Sequence, residues 1–279
     1  MEQSHASTLS GNEHMHLREI LGEIADGGKG ALPGALINRF ASLPPYVVNY
    51  PAKALYMAID PSGGGAGEMG LCVYVDYDAY FVIVCLASIS IKGQRSDKKE
   101  KEAVLGMIAR LRAKPHFREA PLIMMVEAAP SIAASHIYGH IVDEPNVCYM
   151  FESSGDREGC PKSNESTNLM KVEFEQLMEQ DLIRFASDGI TFDPERTFEQ
   201  EKTKLIKQMR NLRYEKLKQT DQSADQKYKL TAKQGSEQDD LLVAALMVPM
   251  WKRKFWGSPK PRYSETKRRI RERFYPSSG

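Results

Sequence analysis

The chain has 279 residues, 42% apolar and 27% charged, with a formal net charge of +1, the balance of an ordinary soluble globular protein with a sizeable core. No apolar stretch is long enough to span a bilayer, the N-terminus lacks the basic and apolar regions of a signal peptide, and Cys72, Cys85, Cys148 and Cys160 show no C-x-x-C spacing. These features predict no membrane-spanning helix, mark the cysteines as small core residues, and fit an intracellular, reducing compartment.

Residues 1–14 are polar. Residues 15–26 carry Leu17, Ile20, Leu21 and Ile24 at helical spacing, and Gly34–Ser42 predicts a second short helix closed by Pro44–Pro45. Ala54–Asp60 predicts the first strand, and the glycines of 61–67 predict a loop. Met69–Asp76 and Tyr80–Ile91 predict an antiparallel pair joined near Tyr77–Asp78–Ala79. Residues 96–113 read as a helix, Leu122–Glu127 as a central strand covered on both faces, Ser131–Val142 as a helix and Val147–Phe151 as a strand. A polar loop over 152–165 leads to an amphipathic helix, Asn168–Gln180, with Leu169, Val172, Phe174, Leu177 and Met178, then a short strand, Leu182–Ala186. A charged helix over 196–218, an extended piece at Tyr228–Ala232 and a last core helix, Glu237–Trp251, complete the pattern. The order predicts an α/β fold: a mixed sheet with an antiparallel hairpin first, parallel strands later, and helices on both faces.

Three of these elements put a carboxylate where an apolar run begins or ends. Asp60 ends the first strand, Glu127 ends the Leu122 strand, and Asp239–Asp240 open the last helix. Acids cost too much to bury alone, so three converging at one sheet edge imply a cation. Two metal ions about 3.5–4 Å apart can serve the attacking and leaving oxygens of phosphodiester hydrolysis, and Mg2+ takes only a few carboxylates while keeping several waters. No His or Cys accompanies these acids in sequence, which argues against zinc there. Each acid alone also has a plain reading, as a turn former or a helix cap.

Ile59–Asp60–Pro61 before a Gly-rich loop, Val126–Glu127–Ala128, and Asp239–Asp240–Leu241–Leu242–Val243–Ala244–Ala245–Leu246 resemble the RNase H-like (retroviral-integrase-like) nuclease fold. Their spacing is similar to the nuclease domain of the viral genome-packaging terminase large subunit of phages and herpesviruses, over roughly residues 50–255. The resemblance implies a Mg2+- or Mn2+-dependent, two-ion endonuclease that cuts concatemeric viral DNA. It implies Asp60, Glu127 and Asp240 as metal ligands and catalytic residues, with Asp239 as an auxiliary metal ligand. The family often carries a further acid three residues after the second Asp, where this chain has Val243. The family's packaging ATPase carries G-x-x-x-x-G-K-[ST], and the Lys29 of Gly27–Gly28–Lys29–Gly30 has no Ser or Thr after it. Double-stranded DNA, other terminase subunits and a packaging ATPase are the partners the resemblance implies. It places the protein in the host nucleus if herpesvirus-like and otherwise in the cytoplasm. The domains expected are an N-terminal helical extension (1–50), the nuclease domain (51–255) and a basic tail (256–279).

The tail region is the strongest charge asymmetry: ten Lys or Arg from Lys252 to Arg273 face only Glu265 and Glu272. Lys252, Arg253 and Lys254, with Lys204, Lys207, Arg210 and Arg213 of the charged helix, are candidate DNA-backbone contacts, although a solvated face is the plain alternative. Gly63–Gly64–Gly65–Ala66–Gly67 lacks the following helix of a nucleotide loop, and His136 with His140 lacks an evident third ligand. A Holliday-junction resolvase-like nuclease, a non-catalytic DNA-binding module of a packaging complex and, more weakly, an actin-like ATPase are the rival readings.

Overall fold

The computed structural model describes residues 30–61, 68–77, 80–90, 96–128, 133–141, 143–149, 159–160, 163–216, 228–233 and 239–256. In chain order the elements are α1 (Gly34–Ser42), β1 (Leu55–Asp60), β2 (Glu68–Tyr77), β3 (Tyr80–Ser90), α2 (Ser96–Ala113), β4 (Leu122–Val126), α3 (Ala133–His140) and β5 (Val147–Tyr149). They continue with α4 (Asn164–Glu179), β6 (Ile183–Ile190), α5 (Phe198–Asn211), β7 (Arg213–Lys216), β8 (Tyr228–Thr231) and α6 (Asp240–Trp256). The N-terminal helix expected over 15–26, the Gly63–Gly67 loop and the tail beyond Trp256 lie outside the described residues.

Six strands form one sheet in the order β5-β4-β1-β2-β3-β6. β1, β2 and β3 form an antiparallel meander; β4 and β5 extend it in parallel from β1, and β6 in parallel from β3. This is the mixed α/β sheet that the order of elements predicts. Strand alternation sends Leu55, Met57, Ile59, Leu122, Met124 and Val126 to the face covered by α2 and α3. It sends Tyr56, Ala58, Cys72, Tyr74 and Met125 to the opposite face, covered by α4, α5 and α6. Both faces are apolar because both are covered, so β1 and β4 read as continuous hydrophobic runs. Leu36, Ile37 and Phe40 of α1 belong to the second core too, and Ala31 N–H donates to Leu212 O at 2.6 Å. The packed unit therefore takes in residues expected as an N-terminal extension. All four cysteines are buried and none forms a disulfide. No helix among the described residues is long and apolar enough to cross a membrane.

Several boundaries differ from the sequence expectation. α4 starts at Asn164 rather than Asn168, because Ser163 and Ser166 form a reciprocal capping box. Its buried face is Thr167, Met170, Lys171, Phe174 and Met178, while Leu169 and Val172 face solvent. Lys171 reaches that face because it pairs with Glu175 one turn on. The helix expected over 196–218 is capped by Thr197 and ends at Asn211. Leu212 turns extended, and β7 pairs antiparallel with β8, placing Tyr214 opposite Leu230 against the core and Glu215 opposite Lys229 in a 3.3 Å ion pair. The local sequence is equally compatible with helix; the distant partner strand decides.

α6 is buried on every side from Leu241 to Trp251. Pro249 within it has no N–H, so the carbonyl four residues back, on Ala245, loses its helical donor. Tyr74 of β2 supplies the replacement: its hydroxyl donates to Ala245 O at 2.7 Å. Burial pushes the Tyr74 hydroxyl well above its usual range, so it stays a protonated donor. Tyr74→Phe, which keeps the ring but orphans a buried carbonyl, is expected to cost about 1–3 kcal/mol in urea unfolding with little change in slope. The buried Tyr56, opposite it in register, is raised from 10.0 to about 12, first by desolvation and then by the Asp76 charge. A value raised in the folded state contributes stability that is full below pH 10 and is lost as pH rises through about 12. Alkaline titration should therefore show the part of the tyrosinate absorbance that Tyr56→Phe removes rising together with loss of near-UV circular dichroism across that window, not ahead of it.

Candidate active site

Asp60 is the last residue of β1, and Glu127 follows the last residue of β4. The parallel register pairs Ile59 with Val126, and Glu127 N–H donates to Ile59 O at 2.9 Å, so the next step along each strand sets Asp60 beside Glu127. Alternation then turns both acids to the α6 face, continuing Tyr56–Ala58 on one strand and Ile123–Met125 on the other. Asp60 is 5% exposed and Glu127 4%. On its other side Glu127 is flanked by Gly159–Cys160: Cys160 N–H donates to Val126 O at 2.7 Å, and Ala128 N–H donates to Cys160 O at 2.9 Å. Gly159 has φ +91°, and a Cβ there would stand 2.6 Å from Val126 O, so only glycine fits. Part of the segment that reads as a polar loop over 152–165 thus brackets Glu127, a long-range contact with no local signal.

The third acid arrives through backbone packing. Asp60 pairs with Gly70 of β2. A Cβ on Gly70 would lie 2.1 Å from the carbonyl oxygen of Asp240, 2.2 Å from its carbonyl carbon and 2.6 Å from the nitrogen of Leu241. The first turn of α6 thus rests on the residue beside Asp60. The Oδ2 atoms of Asp60 and Asp240 are both out of contact with water. The elements that carry Asp60, Glu127 and Asp240 therefore adjoin at the carboxyl ends of β1 and β4, the edge at which open α/β sheets bind ligands.

Asp239 has a different setting. It caps α6, its carbonyl accepting from Val243 N–H at 3.0 Å. Its carboxylate accepts from Thr231 Oγ1 at 3.2 Å and from Ala232 N–H at 3.1 Å, with Lys233 Nζ at 3.8 Å. These contacts tie the helix start to the end of β8. Gln208 of α5 adds a further cap, Oε1 accepting from Leu242 N–H at 2.8 Å.

Carboxylate oxygens are hard donors suited to Mg2+ or Mn2+. The three acids do not contract to the 4.8 Å mutual spacing of a one-ion cage. A pair of ions about 3.5–4 Å apart takes ligands spread wider than one ion does. In donor chemistry the set fits a hard divalent ion.

Of the candidate DNA contacts, Lys207 and Arg210 lie exposed on α5, with Arg210 Nη2 donating to Asn38 Oδ1 at 3.0 Å. Lys204 pairs with Glu68, two residues before Gly70. Arg213 sits on β7 rather than a helix and donates to Lys233 O at 2.8 Å. Lys252 is more than three turns along α6 from Asp240, paired with Asp76 over the Phe81 ring at 4.3 Å. The side chains of Arg253 and Lys254 lie outside the described residues. Of these cations Lys204 thus stands beside the strand that seats α6, whereas Lys252 lies far along α6 from its start.

A polar network beside the acids escaped sequence reading. Glu201 of α5 is 1% exposed; it accepts from Ser88 Oγ at 2.8 Å and pairs with Arg196 at 3.0 Å, raising the Arg196 pKa. Ser88 is the β3 partner of Gly70. The available signal was the α5 stripe Phe198, Glu201, Leu205 and Gln208, in which two polar residues occupy core spacing.

Neither a family model nor a curated protein matches the chain. Among solved structures, the human cytomegalovirus terminase nuclease domain is similar. Its Mn-soaked, inhibitor-bound form gives a TM-score of 0.54 at 16% identity, covering 77% of this chain and 92% of that one. A second structure of that domain gives 0.54 at 17% identity and a Mn-soaked one 0.52 at 14%, with the same coverage. The chain has the RNase H-like mixed-sheet fold of terminase nuclease domains.

Because α6 touches Gly70 through backbone, Gly70→Ala cannot be absorbed by a rotamer change. It is expected to cost about 1–3 kcal/mol in thermal or urea unfolding. The variant should also lose more divalent-cation affinity, read by calorimetry, than Gly34→Ala at an open helical position.

Proposed function

We propose that this chain is a two-metal-ion DNA endonuclease of the terminase type, acting on concatemeric viral DNA during genome packaging. The observation that carries the reading is that the ends of β1 and β4 and the start of α6, which carry Asp60, Glu127 and Asp240, adjoin at one edge of a fold shared with the cytomegalovirus terminase nuclease domain. That two of the cytomegalovirus structures are Mn-soaked supports divalent-metal use by this chain. Asp60, on the central strand β1, would hold both ions; Glu127 and Asp240 would each close one side. Asp239 would act indirectly, fixing the start of α6. The bound ions would supply an activated water and neutralise charge on the leaving oxygen.

The chain's own residues do the rest. Backbone pairing on both sides of Glu127 and the seat of α6 on Gly70 hold the acids in place before substrate arrives. Lys207 and Arg210, exposed on α5, would hold phosphates without reading sequence, with Lys204 and Arg213 beside them. A duplex binding there, and a packaging ATPase and other terminase subunits as partners, follow from the same reading.

The test is nicking of supercoiled plasmid in Mn2+ or Mg2+. Asp60→Asn is expected to cut about a hundredfold more slowly or worse while retaining DNA binding in a mobility-shift assay. Equal cutting by the variant removes Asp60 from its role. DNA binding by the native chain with no metal-dependent cutting marks a non-catalytic module instead.

A further inference from the structure

On the opposite face of the sheet from the acids, α3 and α2 bring together a second set of ligand-type side chains. His136 and His140 stand one turn apart on α3, their ring centroids 4.8 Å apart and inclined at 62°. A ligand atom from each, and one carboxylate oxygen of Glu100 on α2, lie within 4.8 Å of one another. Among the described residues this is the one group of three His, Cys, Asp or Glu with that spacing. Glu100 is 8% exposed and sits one turn before Ala103 and Val104 on the stripe that α2 buries. An acid at a core position requires positive charge beside it. The histidines are only half-buried, which leaves a route for an ion to enter.

We propose that Glu100, His136 and His140 form a transition-metal site, with Zn2+ as its ligand, separate from the carboxylate centre. Two imidazoles and one carboxylate are a three-ligand zinc set that leaves a fourth position for water. Imidazole nitrogen favours zinc over magnesium, the reverse of the all-oxygen set at Asp60, Glu127 and Asp240. Zinc bonds of about 2.0–2.1 Å set tetrahedral ligands roughly 3.3 Å apart, a contraction that side-chain rotation can supply. The ion would clamp α3 to α2. That matters for the chain leaving β4: α3 begins six residues after Glu127, and Tyr138 Oη accepts from Val126 N–H at 3.4 Å. The site is thus a fastening for the segment that carries Glu127, not part of the reacting centre.

Cobalt substitution tests this on the full chain after EDTA treatment. Co2+ bound by nitrogen in four- or five-coordinate geometry absorbs strongly in the visible, whereas six-coordinate Co2+ on carboxylate oxygens absorbs only faintly. One equivalent of Co2+ is expected to give the strong band, and Zn2+ to displace it. The chain has six histidines, so variants assign the band. It should persist in Asp60→Asn and vanish in the His136→Asn, His140→Gln double variant and in Glu100→Gln. Zn2+ should raise the Tm of the native chain and of Asp60→Asn, but not that of the double variant. A native chain with neither the band nor a Zn2+-dependent Tm shift overturns the proposal, whatever the variants do, and leaves the cluster an internal histidine–carboxylate pair. A folded double variant that keeps the band overturns it equally.

Discussion

The peptide between Asp240 and Leu241 occupies the space that any side chain on Gly70 would need. Much of the architecture follows from that contact. A helix seated backbone-to-backbone on a sheet cannot slide without a clash, so its first turn is fixed relative to β2 and, through the register, to Asp60 on β1. The same seat lets α6 lie between the sheet and α4, buried all round, where no polar face is needed. A helix N-terminus carries partial positive charge, so the start of α6 is also an electrostatically suitable place to bring a carboxylate toward two others. Asp239 and Gln208 satisfy N-terminal donors and anchors of the helix, while the backbone of Asp240 rests on Gly70, the residue beside Asp60.

The second constraint is register. Glu127 faces α6 only while Ile59 stands opposite Val126; a slip of one residue would turn it toward α2 and α3. That register is set at the far end of the strand. Leu55 N–H donates to Pro121 O and Leu122 N–H to Asn146 O, each at 2.8 Å. Arg112 gathers the turn ahead of β4, donating to Phe117 O at 2.8 Å and Arg118 O at 3.1 Å, and to Asn146 O at 3.3 Å. A guanidinium on α2 therefore helps decide the facing of an acid at the other end of β4. The local sequence around Glu127 carries none of this.

What could be read in advance divides along the same line. The strands and the acids at their ends were legible because a buried strand is a short apolar run with a sharp polar limit, a signal held within a few residues. Asp239 and Asp240 were not separable, since adjacent identical residues differ only in distant partners: Thr231 and Ala232 for one, Gly70 for the backbone of the other. Nothing beside Gly70 in the sequence names the helix that rests on it. The end of α5 was misjudged because Arg213–Lys216 becomes strand only through pairing with Tyr228–Thr231. Leu169 and Val172 were assigned to a core face by hydrophobicity, but Lys171 and Thr167 sit there, the lysine through its pair with Glu175. The third ligand-type residue beside His136 and His140 belongs to another helix, so spacing along α3 could not reveal Glu100.

The distribution of charge ties these pieces together. Around the acidic edge, Lys204 pairs with Glu68, Arg196 with Glu201, and Lys233 approaches Asp239. Each of those cations serves an acid that flanks the central three, and each pair joins elements that must stay docked: α5 to β2, the approach to α5 to α5 itself, and β8 to the start of α6. Of these partners only Glu201 and Asp239 are buried, so the loss of Arg196 or Lys233 would leave a buried acid short of a partner, while the solvent-reaching Lys204–Glu68 pair contributes less. Fixed cations therefore hold the frame of the site. For the proposed endonuclease a divalent ion is the better counter-charge at its centre, since it can bind phosphate and activate water together, which a lysine paired to the acids could not. The edge thus divides its electrostatics between permanent pairs that position helices and a carboxylate cluster suited to exchangeable ions.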